Sequence, residues 1–155
     1  MRREEKEIQD PSRVEKILKQ AQICRLAMVD KDVPYVVPLN FGYRDGALYF
    51  HSAKKGRKID LIHHNPNVCF EVDELIRLKK AKQACDWGVD YQSVIGTGRA
   101  VFLEDVQEKK KALDVIMAQY SGRPFDYPVK MLEKTAVIKV LISQMTGKQS
   151  PAEKV

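Results

Sequence analysis

Residues 33–52 read VPYVVPLNFGYRDGALYFHS, and the period of this stretch decides the fold. Val33, Tyr35, Val37, Leu39, Phe41 and Tyr43 recur at every second position, which places their side chains on one face of an extended strand. The other face carries Pro34, Val36, Pro38, Asn40 and Gly42. A proline has no N–H for a ladder, so this strand is expected at a sheet edge, or to be irregular in part. Asp45-Gly46 suits a tight turn that needs positive φ, and the apolar run ALYFHS follows it directly. A β-hairpin is the reading.

Working outward, the flanks extend the pattern to a β-meander. Ile23–Val29 suits a buried strand, and Asp30-Lys31-Asp32 is a polar turn. Asp10-Pro11 opens a helix with a cap and a first-turn proline, and Val14, Ile17, Leu18 and Ala21 make its apolar face. Downstream, Ile59–His64 is a short helix closed by Asn65-Pro66, because the residue before proline avoids the helical region. NVCFEVDEL (67–75) resumes the alternation, and RLKKAKQACDWG (77–88) fits a continued strand, a long loop, or both. YQSVIGTGRAVFLED (91–105) is a long strand in which Gly96 and Gly98 leave one face bare, the mark of a bend, a bulge or a close approach.

Asp105 with Glu108 opens a second helix to Tyr120, expected to bury Val106, Leu113, Ile116, Met117 and Tyr120; Gly122 ends it. RPFDYP (123–128) is a loop, and Thr135–Ile142 is the last strand. The sum is a single domain over residues 1–155, mainly β: about six antiparallel strands in a barrel, two main helices and a short one. Residues 1–10 and 148–155 are expected to be flexible ends.

Composition excludes several classes. With 44% hydrophobic and 31% charged residues the chain is an ordinary globular one, and no apolar run approaches the roughly 18 residues of a membrane span. The start MRREEKEIQD has no apolar core for a secretory signal, so the cytoplasm is the expected location. Cys24, Cys69 and Cys85 are three, widely spaced and without a CxxC, which argues against a disulfide framework and a zinc site. The net charge of +6 is spread along the chain with acids beside most basic clusters, and no nucleic-acid-binding motif accompanies it. A diffuse positive field steers phosphorylated small molecules equally well.

The segment HSAKKGRK (51–58) is locally of one sign. Gly56 permits a sharp turn, and Arg57 and Lys58 begin the short helix, whose N-terminus offers unpaired N–H groups and partial positive charge. With the Ser52 hydroxyl and the two cations, this corner reads either as a grip for a phosphate or as a solvated basic turn. A GxxxxGK[ST] loop is absent. On the residues alone, Asn40 reads as a strand-end turn residue and Gly42 as a bulge. His63 and His64 point about 100° apart on a helix and receive no role. Trp87 fits a lid, an interface anchor or the core, and Arg99 fits either a pair with Glu71 or Asp73 or an outward residue.

Residues 25–73 (RLAMVDKDVPYVVPLNFGYRDGALYFHSAKKGRKIDLIHHNPNVCFEVD) and 85–105 (CDWGVDYQSVIGTGRAVFLED) resemble the Nim branch, associated with 5-nitroimidazole resistance, of the pyridoxamine 5′-phosphate oxidase-like flavoproteins. The resemblance implies an FMN-binding split β-barrel that forms a homodimer, with flavin in grooves between the subunits. It places the flavin phosphate at His51, Ser52, Gly56, Arg57 and Lys58, and the isoalloxazine ring along Pro38, Leu39, Asn40, Phe41 and Gly42. Ser93 and Val94 would supply the second side of the groove, and His51 is the candidate proton donor or ligand contact.

The implied activity is FMN-dependent reduction of a small organic electron acceptor such as a nitroaromatic; the alternative is a non-catalytic flavin-binding or redox-sensing protein. FAD, a deazaflavin or haem are the alternative cofactors. No membrane or nucleic-acid partner is expected. The C-terminal basic and aromatic substrate residues of the vitamin B6 oxidases have no counterpart in MTGKQSPAEKV (145–155), so that activity is not expected.

Overall fold

A computed structural model describes residues 3–151. The chain folds as β1 (Glu7–Ile8), α1 (Pro11–Gln20), β2 (Cys24–Asp30), β3 (Val33–Leu39), β4 (Gly42–Arg44), β5 (Ala47–Ala53), α2 (Arg57–His64), β6 (Asn67–Lys79), β7 (Gly88–Leu103), α3 (Val106–Ala118), α4 (Val129–Lys134) and β8 (Thr135–Ser150). The eight strands form one antiparallel sheet in the order β3-β2-β6-β7-β8-β5-β4, with β1 paired to β8. No helix among the described residues is long and apolar enough to cross a membrane.

The long alternating stretch 33–43 is not one strand. Alternation continues through it, yet β3 lies at one edge of the sheet and β4 at the other, joined only by Asn40 and Phe41. A two-residue link spans at most about 10 Å, so the sheet curls until its edges nearly meet. The edges carry no ladder between them, which makes the barrel split. The prolines sit where expected: β3 pairs with β2 alone, and Pro34 and Pro38 lie on the exposed face of this edge strand. Asp45 (φ 49°) and Gly46 (φ 72°) both take positive φ in the β4–β5 turn.

Inside the barrel, Leu26, Met28, Phe41, Leu48, Phe50, Phe70, Val94, Ile138 and Val140 form the core, closed at one end by Val14, Ile17 and Leu18 of α1. The two bare positions of β7 are explained by this packing. A Cβ at Gly96 would collide with the Phe70 ring and Gln144 O, and one at Gly98 with Leu141 O.

Four differences from the sequence reading follow from tertiary context. The β6–β7 hairpin extends past a bulge at Leu75/Arg77 to Lys79 and Gly88, so the ambiguous segment is strand first and loop second. β8 runs sixteen residues rather than eight, with a register shift opposite Thr97/Gly98. The ends are not free: Glu7 and Ile8 pair with Lys148 and Gly147, and β7–β8 pairing reaches Ser150; residues 1–2 and 152–155 lie outside the described residues. Finally, α3 packs on β4 and β5 through Ala112, Val115 and Ile116, with the stem of Lys109 counting as apolar surface, and leaves Val106 and Tyr120 exposed.

Candidate functional site

The open side of the barrel carries a cleft of about 590 Å³, within the size range of small-molecule sites. Its floor and walls come from three places far apart in sequence: Tyr35 of β3, His51–Ala53 at the end of β5 with Lys55–Lys58, and Met131, Lys134 and Thr135 of the α4–β8 junction. β3 and β5 are not hydrogen-bonded neighbours; the curl of the sheet brings Tyr35 beside His51. Four side chains of the lining are Lys or Arg, and none is acidic.

Local sequence builds the mouth of the cleft. Gly56 adopts φ 131°, a conformation that L side chains rarely adopt, and so turns the chain directly into α2. No side chain caps α2; the Ile59 N–H already donates to Gly56 O at 2.9 Å, so the N–H groups left open at the start of the helix are those of Arg57 and Lys58, beside the Lys58 ammonium. Uncapped helix N–H groups, a hydroxyl, lysines and the absence of acid together suit a phosphate.

Arg57 departs from the expected role. Its Nε and Nη2 donate to Asp30 Oδ2 at 3.2 and 2.9 Å, and its guanidinium lies 4.4 Å from the Tyr35 ring centroid. It lines the cleft as a strut between the β2–β3 turn and α2, with its charge already matched.

The structure divides the residues singled out in the sequence. His51, Ser52, Gly56, Arg57 and Lys58 come together in the cleft. Pro38, Asn40 and Ser93 stand outside it, Pro38 on the outward face opposite Arg25 and Ser93 on that same face opposite Asp73. Phe41 and Val94 point into the core, so only their backbones face elsewhere, and the Phe41 N–H is taken by Tyr120 Oη at 2.9 Å. Leu39 packs against the core. Gly42 is bare because the α3 backbone at Val115 and Ile116 lies where a side chain would be. The ring-side residues thus lie off the cleft within one copy of the chain.

Other groups find partners of their own. Glu71 and Asp73 pair with Arg25 rather than Arg99, which is exposed on the outward face. Burial pushes the Cys24 thiol up to about 12, so it acts as packing. Trp87 is exposed at the β6–β7 tip, its Nε1 donating to Ala81 O at 2.7 Å, which removes the core reading. His63 stacks on Phe102. The wall formed by α4 was missed altogether, because its VKMLEK sequence has neither a capping residue nor two turns of periodicity.

A small antiparallel barrel, split along one side, with a basic cleft at the split, is the architecture of the split-barrel flavoproteins. The chain belongs to the pyridoxamine 5′-phosphate oxidase family, whose model matches residues 10–149. A similar solved structure is a "putative 5-nitroimidazole antibiotic resistance protein" from Bacteroides thetaiotaomicron: 38% identity, 92% of this chain and 86% of that one, TM-score 0.84. An FAD-binding protein from Mesorhizobium loti shares 27% identity over 91% and 95% of the chains, with TM-score 0.68. The flavocytochrome Anf3 from Azotobacter vinelandii, at 24% identity, covers 96% of this chain and 71% of its own with TM-score 0.82, a likeness of fold. Among curated proteins no match is found.

Proposed function

We propose that this chain is an FMN-dependent oxidoreductase that reduces a small organic acceptor such as a nitroaromatic, working as a homodimer in the cytoplasm. The observation that carries the reading is the acid-free cleft in which the uncapped start of α2 meets Ser52, Lys55, Lys58 and Lys134. The 38% identity to the nitroimidazole-resistance relative supports the acceptor class, and the FAD-binding relative supports FAD as the alternative cofactor.

When bound, flavin supplies the electron transfer itself. The chain's own residues then have three tasks. Lys58 and the α2 N–H groups hold the phosphate, and Tyr35, stacked under Arg57, gives the cleft a rigid aromatic wall. His51, exposed at the end of β5, is the side chain placed to donate a proton from a ring nitrogen to the reduced acceptor.

A dimer accounts for the residues that one copy leaves apart. Val29, Val36 and Ile95 are exposed apolar residues on the same outward face as Pro38 and Ser93, interspersed with the Arg25–Glu71–Asp73 cluster. A two-fold axis would set this apolar face against its own copy, with the Arg25–Glu71–Asp73 charges already paired within each chain. Packing two such faces would bring Pro38, Asn40 and Ser93 to a groove between the copies.

The test is turnover. Flavin-loaded protein, reduced anaerobically, should be reoxidised by a nitroaromatic faster than free flavin is, and should cycle when a reductant is supplied. Flavin that is reduced but not reoxidised above the free-flavin rate would contradict the enzyme reading and favour a sensor or carrier.

A further inference from the structure

The wall of the cleft contributed by α4 has its own construction. Met131 and Lys134 are three residues apart and so share one helix face, and both line the cleft. Leu132, 2% exposed, anchors the helix by its other side, where α4 meets α3. Six residues cannot hold a helix in place by propensity, and Pro128, which precedes the first helical residue Val129, supplies no side-chain cap.

The opposite end of α4 is held from outside. Lys109 of α3 is only 4% exposed, and its Nζ donates to Thr135 O at 3.2 Å and to Leu132 O at 3.5 Å. It has no ion pair among the described residues. A buried ammonium without a counter-ion is costly, and here the carbonyls at the C-terminus of α4 are what it binds. The Thr135 hydroxyl adds a bond to Met131 O at 2.8 Å. These bonds pin the junction at which Lys134 and Thr135 enter the cleft wall. Lys134 is itself exposed and has no ion pair among the described residues, so its charge faces the cleft unmatched.

We propose that Lys134 is a second cation on the cofactor phosphate, supplied by α4 rather than α2, and that buried Lys109 is the positioning residue that holds it there. Met131, 59% exposed and on the same helix face as Lys134, offers the ligand an apolar contact beside that cation. The inference rests on the reading of the cleft as a flavin-phosphate site.

Titrating apoprotein with FMN and with riboflavin, which lacks the phosphate, tests it. Lys134→Ala should weaken FMN binding by about tenfold or more, as loss of a bond to a charged group does, and leave riboflavin unchanged. Lys109→Met keeps the packing stem and does not touch the cleft, yet should narrow the FMN-to-riboflavin ratio as well; Lys109→Arg should restore part of it. The double variant should discriminate no less than Lys134→Ala alone, since the two act through one contact. Should Lys109→Met fail to fold, the ratio in Lys109→Arg relative to wild type decides the positioning role, an unchanged ratio counting against it.

FMN affinity in Lys134→Ala equal to wild type, or equal losses for both ligands, would overturn the proposal. Wild-type protein that binds FMN and riboflavin alike would overturn the flavin-phosphate reading with it. Discrimination lost in Lys58→Ala but kept in Lys134→Ala would sink the α4 assignment alone.

Discussion

The guanidinium of Arg57 and the carboxylate of Asp30 are joined by two bonds to one oxygen, 2.9 and 3.2 Å, with the Tyr35 ring beneath. The most conspicuous cation of the basic turn is therefore engaged before any ligand arrives. It fixes the β2–β3 turn against the start of α2 and leaves the anion to its neighbours.

The division of labour between adjacent cations can be measured. Lys58→Ala should reduce FMN affinity by roughly 1.5–3 kcal/mol, the contribution of a charge-assisted bond, and riboflavin affinity hardly at all. Arg57→Ala should reduce FMN affinity by less than Lys58→Ala does. Its exposed ion pair should contribute under about 1 kcal/mol to stability. Isothermal titration of both variants checks the order; the reverse order would return the phosphate to Arg57.

Tyr120 closes the barrel from outside. Its hydroxyl accepts the Phe41 N–H at 2.9 Å and donates to Gln22 O at 2.7 Å, so one side chain ties the two-residue link between the sheet edges to the end of α1. Tyr120→Phe should lower stability by about 1 kcal/mol, because the buried N–H loses its partner. Urea denaturation measures it, and an unchanged midpoint would mean that water replaces the hydroxyl at no cost.

What was legible in the sequence was whatever local chemistry dictates. Asp45-Gly46 announces its turn because few residues accept positive φ, and Asp10 and Asp105 announce helices because their carboxylates accept first-turn N–H groups from Ser12, and from Gln107 and Glu108. The break at Asn40–Phe41 was legible only as the strand-end reading of Asn40; the crossing between sheet edges was not. Phe41 still points into the core, as continued alternation demands, while the chain crosses from one sheet edge to the other.

The cleft was legible in part for the same reason. His51 to Lys58 are contiguous in sequence, so their meeting needs no tertiary knowledge, whereas Tyr35 and Lys134 arrive only through barrel closure and a short helix held by Lys109. Lys109 itself reads as a surface lysine in EKKK. Only the packing of α3 on α4 shows that it is buried.

Gly42 separates a structural from a ligand-binding explanation of a bare position. A Cβ there would enter the α3 backbone at Val115 and Ile116, which has no flexible end to move aside. Gly42→Ala should cost about 1–3 kcal/mol of stability in the absence of any ligand. Loss of flavin affinity with an unchanged melting temperature would instead return Gly42 to the ring face.

Asp90 makes the β6–β7 hairpin sensitive to acid. Its buried carboxylate meets Lys79 Nζ at 2.6 Å and Arg77 Nη2 at 2.8 Å, and these cations, Lys79 foremost, hold it below the ordinary value of 3.8 against the cost of burial. A depressed carboxylate stabilises the fold above its unfolded value and loses that contribution as pH falls through the folded one. Asp90→Asn should therefore melt below wild type at pH 7, with the gap narrowing below about pH 3.8. A gap constant with pH would mean that the carboxylate charge contributes nothing.

The central claim, that the cleft beside α2 takes a flavin by its phosphate, is tested most directly by the melting temperature of the apoprotein as ligand concentration rises. FMN at a hundred times its dissociation constant should stabilise by about 2.7 kcal/mol, and riboflavin at the same concentration by much less. Equal shifts for the two ligands, or none for either, would contradict the account.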